Sequence, residues 1–88
     1  MHVEFLASFN RDLNKIKLGP VKKSILKVIL AIEKAKSFKS ISNSKKLTGH
    51  KSAFRIRVGD YRIGVFVSGN KVQFARVVHR KDIYRYFP

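Results

Sequence analysis

The last third of the chain, residues 54–86, contains two short connections that favour β-hairpins. Gly59-Asp60 and Gly69-Asn70 each place glycine before Asp or Asn, residues that readily adopt the positive φ of tight hairpin turns. The runs beside these turns are rich in Val, Ile, Phe and Tyr, which favour β-strands. The sequence therefore predicts three consecutive antiparallel strands followed by a short C-terminal helix.

Two-residue turns also determine the register of the predicted sheet. Arg57 is expected opposite Arg62 and Arg55 opposite Gly64, while Gly64 faces Ala75 across the second hairpin. Because side chains alternate along a strand, one face of this sheet is predicted to be an apolar core. It comprises Phe54, Ile56, Val58, Tyr61, Ile63, Val65, Val67, Val72, Phe74 and Val78.

Arg76 also falls on this apolar face and does not fit it. A β-bulge, an edge position or a buried ion pair could each accommodate a guanidinium there. The sequence alone leaves these three explanations open.

The opposite face of the predicted sheet carries basic side chains with small residues between them. It comprises Arg55, Arg57, Arg62, Gly64, Phe66, Gln73, Ala75, Val77 and His79. Small residues between long basic ones predict a positively charged trough, which is a surface suited to phosphate. From the segment before the hairpins, Lys45, Lys46, Lys51 and His50 could line one end of this trough, or could be solvated surface charge.

The charge balance predicts a polyanionic partner. Among 88 residues, 20 Lys and Arg stand against 5 Asp and Glu, giving a formal net charge of +15. Such an imbalance makes the folded chain repel itself, and a nucleic acid would relieve that repulsion. Because basic residues also occur within the strands, nucleic acid is favoured over a membrane surface.

Length, cysteine count and hydropathy exclude several classes of protein. The 88 residues are enough for a single domain, expected to span residues 1–88. The absence of cysteine excludes disulfides and thiolate metal sites, and fits a reducing, cytoplasmic environment. No apolar run approaches the roughly 20 residues of a membrane-spanning helix. Residues 2–5 lack the basic lead of a signal peptide.

Upstream of the hairpins the pattern predicts one strand and two helices. Residues 2–5 are expected to form the strand, Ser8 to cap a helix over 9–17, and a second helix to cover 20–36. The segment 37–52 is rich in Ser and Lys without periodicity and is predicted as a loop. The order β-α-α-β-β-β-α predicts a small α+β fold with two helices on one face of a mostly antiparallel four-stranded sheet.

A metal site is not expected, because His2, His50 and His79 are far apart in sequence and no acidic cluster is present. A phosphoryl reaction without a metal could be RNA cleavage, in which the substrate's own 2′-OH attacks the neighbouring phosphorus. The arginines of the trough could hold the phosphate, while His79, Tyr84 or Tyr86 could transfer a proton. The same arginines could instead simply bind phosphate without catalysis.

The chain contains the motifs KLTG, FRIRVGDYRIGV and VQFARVVHRKDIYRY, which together resemble the RelE/ParE superfamily of toxins, and its RelE branch in particular. The size and element order are also similar to that compact fold. The resemblance implies an mRNA interferase, an endoribonuclease that cleaves mRNA in the ribosomal A site without a metal or cofactor. It also implies an acidic antitoxin, the ribosome and mRNA as partners, and no membrane.

The resemblance also implies roles for individual residues. Arg55 and Arg57 correspond to the basic strand pair of the family, and Arg62 to the arginine after the strand tyrosine. Arg80 corresponds to the arginine that opens the C-terminal segment, and Tyr84 to the tyrosine of the closing motif. The implied catalytic residues are Arg57, Arg62, His79, Arg80 and Tyr84, and the implied RNA- or phosphate-binding residues are Arg55, Lys45, Lys46, Lys51 and Lys81.

Two departures from the family pattern leave the general base open. Val78 stands where a glycine commonly precedes the histidine, and the predicted sheet lacks the glutamate that some relatives use as base. His79, Tyr84 and Tyr86 therefore all remain candidates. The alternative functions are DNA gyrase poisoning, as in the ParE branch, and RNA binding without catalysis. His79, Arg80 and Tyr84 favour the RelE branch.

Overall fold

The computed structural model describes the whole chain, residues 1–88. Its elements are, in order, β1 (His2–Phe5), α1 (Ala7–Lys15), α2 (Gly19–Lys34), a 3₁₀ turn (Phe38–Ser40), β2 (Ser44–Lys46), β3 (Ala53–Val58), β4 (Tyr61–Ser68), β5 (Lys71–His79) and α3 (Ile83–Tyr86). The predicted α+β class is confirmed, and so are the first strand, both long helices and the short C-terminal helix. None of the helices is both long and apolar enough to cross a bilayer.

The strands form one five-stranded sheet in the spatial order β1-β5-β4-β3-β2. Neighbours from β2 to β5 are antiparallel, whereas β1 lies parallel to β5. The prediction of four strands is wrong because β2 lies within the segment predicted as a loop. This edge strand has only three residues, Ser44–Lys46, and its two lysines are exposed. It therefore shows no apolar alternation that a sequence pattern could reveal.

The first hairpin has the predicted register. Arg57 faces Arg62, and Arg55 faces Gly64. Gly59 in its turn has a φ of +59°, a conformation that glycine adopts without steric cost. Turn chemistry alone was therefore sufficient to align β3 with β4.

The second hairpin departs from the predicted register at a β-bulge in β5. Val65 faces Phe74 as expected, but Gly64 faces Arg76, so Ala75 is the extra residue on β5. The predicted pairing of Gly64 with Ala75 is therefore wrong. Beyond a bulge the alternation of side chains shifts by one residue.

The shift exchanges the faces of the residues that follow the bulge. Val77, predicted on the basic face, is buried in the main core, and Val78, predicted in the core, packs on the opposite face. Arg62 accordingly pairs with Val78 and not with Val77.

Arg76 is accommodated both by the bulge and by a buried partner. Its Nε and Nη2 donate to the Asp12 carboxylate at 2.6 and 3.0 Å. The same carboxylate accepts the backbone N–H of Val77 at 3.1 Å. Asp12 lies on α1 and is the only buried charged side chain, with 6% exposure. Hydrogen bonding to Asp12 raises the pKa of Arg76 above its ordinary value.

Helix α1 is joined to the bulge by a second contact. The prediction that Ser8 caps this helix is wrong, because α1 begins at Ala7 with Leu6 in the capping position. The Ser8 hydroxyl instead donates to the carbonyl of Ala75 at 2.6 Å. This bond satisfies a carbonyl that the bulge removes from the regular ladder.

Two apolar clusters lie on opposite faces of the sheet. The main core, beneath α1 and α2, contains Phe9, Ile16, Ile25, Ile29, Ile32, Phe38, Ile56, Ile63, Val65, Val72, Phe74 and Val77. The second cluster, beneath α3, contains Leu47, Ala53, Ala75, Ile83 and Phe87. The basic face is therefore partly covered by the C-terminal segment.

The C-terminal segment packs on the sheet at Gly64. A Cβ at position 64 would lie 2.5 Å from Cγ of the Phe87 ring, which is closer than nonbonded carbon atoms approach. Phe87 is only 3% exposed and packs against Phe66 with ring centroids 5.0 Å apart. The small residues predicted to leave an open trough instead receive the Phe87 ring.

We expect Gly64→Ala to lower the free energy of unfolding by about 1–3 kcal/mol, because the new methyl group overpacks the Phe87 ring. Urea denaturation would measure the loss. Gly19→Ala is the matched control, since a Cβ at position 19 meets no atom within 4 Å. Equal stability of the two variants would contradict the packing of Phe87 on Gly64.

Candidate functional site

Four arginines and one tyrosine come together along the first hairpin, around Arg62. Arg57 on β3 lies directly opposite Arg62 on β4. The backbone N–H of Arg80 donates to the Asp60 carbonyl at 2.8 Å, which places the segment after β5 beside this turn. We call Arg55, Arg57, Arg62 and Arg80 the arginine cluster.

Arg62 is at the centre of the arginine cluster. It is half-buried, and its Nη1 donates to the backbone carbonyls of Gly59 and Tyr61 at 2.8 and 2.9 Å. Burial lowers the pKa of its guanidinium, and the positive charges of the other three arginines lower it further. Arginine nevertheless remains charged at neutral pH. The lowered pKa therefore reflects burial first and the positive charges of the neighbouring arginines second, at a side chain held by two backbone carbonyls.

No carboxylate neutralises the arginine cluster. The salt bridges of the protein use only Glu4, with His2 and Lys71, and Asp12, with Arg76. An anion such as a phosphate would therefore relieve the mutual repulsion of the cluster. No group of three or more His, Asp or Glu side chains is placed to hold a metal ion.

Tyr84 connects the arginine cluster with the lysines of β2. Its hydroxyl accepts a hydrogen bond from Arg55 Nε at 3.0 Å, and its side chain is 66% exposed. Tyr84 also lines a cavity of about 380 Å³ together with Lys45, Lys46 and His50. Lys45, which faces Arg55, therefore lies at one end of the basic face, whereas Lys46 faces Phe54, whose side chain packs against the main core.

The two other predicted phosphate-binding lysines lie outside this cavity. Lys51 borders a cavity of about 610 Å³ with Lys36 and Lys39, and a second one of about 410 Å³ with Lys46 and His50, which also line the Tyr84 cavity. Lys81 is exposed, and its backbone N–H donates to His79 Nδ1 at 3.2 Å.

His79 does not lie in the arginine cluster, so its predicted place on the basic face is wrong. Its ring contacts that of Tyr61, at 5.9 Å between centroids, and Tyr61 packs against the main core. His79 also shares a cavity with Leu18 and Val21 at the start of α2. The bulge in β5 is the cause, because it reverses the face of every later residue in the strand.

Tyr86 also points away from the arginine cluster. The Cζ atom of Arg76 lies 4.9 Å from the centroid of the Tyr86 ring. The ring borders a hollow that is lined by Asp12 and Lys15 of α1. Of the three residues considered for proton transfer, only Tyr84 contacts the cluster.

Two residues that support the site were missed in the sequence. Ile83 and Phe87 are buried in the second cluster and attach the C-terminal segment to the basic face. Their spacing of four residues, one turn of a helix, was the available signal. This spacing was not used, because the basic face was assumed to be open and to have nothing packed on it.

We expect Arg57→Gln to raise the free energy of unfolding by about 0.2–1 kcal/mol at low salt, because it removes a like charge directly opposite Arg62. The gain should shrink at high salt, since exposed charges are screened. Arg11→Gln, at an exposed position on α1, removes the same charge as a control. Equal gains from both variants in thermal denaturation would attribute the effect to net charge alone.

Comparison with known proteins identifies relatives along the whole chain. Toxin RelE3 of Methanocaldococcus jannaschii is 40% identical over 89 residues, which cover 100% of both chains. A RelB–RelE antitoxin–toxin complex from Methanococcus jannaschii has a TM-score of 0.82 at 39% identity, over 97% of this chain and 99% of that one. No family model matches the chain.

A more distant solved structure has the same fold. A RelE–RelB complex from Pyrococcus horikoshii has a TM-score of 0.74 at 17% identity, over 93% of this chain and 97% of that one. This likeness concerns the fold, whereas the family follows from the relative that is 40% identical over its full length. The chain belongs to the RelE family of toxins.

Proposed function

We propose that this protein is a toxin of a toxin–antitoxin pair that cleaves mRNA in the ribosomal A site, as a metal-independent endoribonuclease. The observation that carries the proposal is the arginine cluster, which no carboxylate neutralises and which contacts the hydroxyl of Tyr84 through Arg55. This arrangement combines fixed cations with a group able to transfer a proton. Membership of the RelE family supports it.

The proposed reaction needs no nucleophile from the protein. The 2′-oxygen of the substrate forms a bond to the adjacent phosphorus, and the bond from phosphorus to the 5′-oxygen breaks. The products are a 2′,3′-cyclic phosphate and a 5′-OH. The proton lost by the 2′-OH and the proton gained by the 5′-oxygen must each have a partner.

The arginine cluster would stabilise the additional negative charge of the phosphorane transition state. Arg62 is held by two backbone carbonyls, so little reorganisation is required when that charge develops. Arg57 and Arg80 are exposed and can direct their donors at the phosphate. Both charges are therefore available to the substrate.

Tyr84 is the proposed proton donor to the leaving 5′-oxygen. Because Arg55 Nε donates to the phenol oxygen, the phenol hydrogen stays free to be donated. The proton of the 2′-OH would pass to His50, which lines the same cavity as Tyr84, because a lysine ammonium group has no lone pair to accept it. An imidazole suits this role best, since its neutral form is common at neutral pH.

An acidic antitoxin is the proposed protein partner, in addition to the ribosome and mRNA. The net charge of +15 and the uncompensated arginine cluster favour an acidic protein that covers the cluster. The relative from Methanococcus jannaschii was solved as a complex with its antitoxin. A structure of the complex in which the antitoxin contacts neither the arginine cluster nor α3 would contradict this proposal.

We expect Arg62→Ala to slow cleavage by about 10²–10³-fold, because one preorganised donor to the transition state is lost. Primer extension on mRNA after brief induction of the wild-type chain should show cuts inside translated codons, and these should vanish in the variant. Arg11→Ala is the matched control and should leave the cuts unchanged. Growth arrest with intact mRNA would indicate gyrase poisoning, and neither arrest nor cuts would indicate RNA binding alone.

We expect Tyr84→Phe to slow single-turnover cleavage on programmed ribosomes by about 10²–10⁴-fold, because the proton donor is lost while the ring remains. The concentration for half-maximal rate should change little, since the arginines that bind phosphate are intact. An unchanged cleavage rate would remove Tyr84 from the mechanism.

A further inference from the structure

Helix α3 depends on contacts with the rest of the protein. Its four residues, Ile83–Tyr86, form about one turn, and a helix of that length has no stability of its own in water. Ile83 and Phe87 hold it from below, where they are buried on the sheet. Tyr84 and Tyr86 extend to opposite sides, one to the arginine cluster and the other to Arg76.

The contact on the Tyr84 side is too weak to determine where α3 lies. It is a single exposed hydrogen bond from Arg55 Nε. Such a bond contributes little, because water competes for both partners. Ile83 and Phe87 attach α3 to the sheet, so the rotation of α3 about the line through these two anchors must be set by another contact.

The contact on the Tyr86 side is made to a fixed guanidinium. Arg76 is bound by both oxygens of the Asp12 carboxylate, and Asp12 is itself held by the backbone N–H of Val77. The guanidinium therefore has little freedom left before Tyr86 packs on it. A cation 4.9 Å from the centroid of an aromatic ring is attracted by the electron-rich face of that ring.

We propose that Asp12, Arg76 and Tyr86 are positioning residues that hold α3 in the orientation that keeps the Tyr84 hydroxyl on the arginine cluster. Tyr86 acts through its ring and not through its hydroxyl. Asp12, on the helical face of the sheet, thereby controls a side chain on the opposite face. The inference rests on the proposed function of Tyr84 in cleavage.

The experiment compares Tyr86→Phe, which keeps the aromatic ring, with Tyr86→Leu, which removes it. Each is made alone and together with Tyr84→Phe, and single-turnover cleavage on programmed ribosomes is measured. Tyr86→Phe should cleave like the wild type. Tyr86→Leu should lose on the order of 10²-fold, as small displacements of a reacting group do. In the Tyr84→Phe background, Tyr86→Leu should cause no further loss.

A second measurement follows α3 without reference to activity. The backbone N–H groups of Arg85 and Phe87 donate to Asp82 and Ile83 at 3.0 and 2.8 Å, so their hydrogen exchange reports on the helix. Exchange should accelerate in Tyr86→Leu and in Asp12→Asn, and should be unchanged in Tyr86→Phe. If Asp12→Asn does not fold, Tyr86→Leu still tests whether Tyr86 holds α3. This variant is expected to fold, because it alters only a side chain that is 47% exposed.

Leu26→Ala provides the control for loss of an exposed apolar side chain on another helix, since Leu26 is 54% exposed. Its cleavage rate and its exchange at Arg85 and Phe87 should match the wild type. The inference is overturned if Tyr86→Phe is as slow as Tyr86→Leu, because the hydroxyl would then be the active group. It is also overturned if the losses multiply in the double variant, or if exchange in Tyr86→Leu is unchanged.

The two proposals fail in different ways. If the wild-type chain cuts no RNA, the proposed function is wrong, and the exchange rates alone then decide whether Tyr86 anchors α3. If the wild type cuts RNA and Tyr86→Leu cuts it equally well, the positioning proposal is wrong and the proposed function stands.

Discussion

The ion pair between Asp12 and Arg76 joins parts of the chain that are 64 residues apart. Breaking a buried pair by removing one partner typically costs about 3–5 kcal/mol, because a charge is left without compensation. Here the pair also stabilises the bulge at Ala75, since the Asp12 carboxylate binds the N–H of Val77 as well. The faces of all later residues in β5, and the support for Tyr86, depend on this one carboxylate.

The sequence was sufficient wherever structure is determined by neighbouring residues. Glycine turns and alternating side chains predicted both hairpins and placed Arg55, Arg57 and Arg62 on one face, as the structure has them. These predictions required only the geometry of strands and turns. The two long helices likewise followed from local apolar periodicity.

The sequence was insufficient to predict structure that depends on residues far away in the chain. The misfit of Arg76 on the apolar face indicated a bulge only as one of three explanations, because the partner that decides between them lies on α1. His79 was assigned to the wrong face as a consequence. Phe87 was missed for a related reason. In the sequence, the missing side chain of Gly64 indicated empty space above the sheet. In the structure, the Phe87 ring fills that space and packs on Gly64. Both errors arose from treating the sheet without what packs on it.

The arginine cluster illustrates how a proposed binding site can weaken the fold that carries it. Four cations without a carboxylate repel one another, and this repulsion contributes to the lowered pKa of Arg62. The same arrangement keeps the guanidinium of Arg62 ready for an arriving anion, because two backbone carbonyls hold it. The two apolar clusters on either face of the sheet must therefore supply the stability that the cluster removes.

The position of the Phe87 ring on Gly64 has a consequence for the order in which the protein folds. Gly64 lies in β4 and becomes part of a packing surface only once β4 has paired with β3 and β5. Residues 83–87 therefore need an assembled sheet on which to pack, and Tyr84 reaches Arg55 only after that sheet has formed. β1 must likewise wait for β5, its parallel neighbour. The arginine-bearing strands thus assemble before the C-terminal segment packs against them.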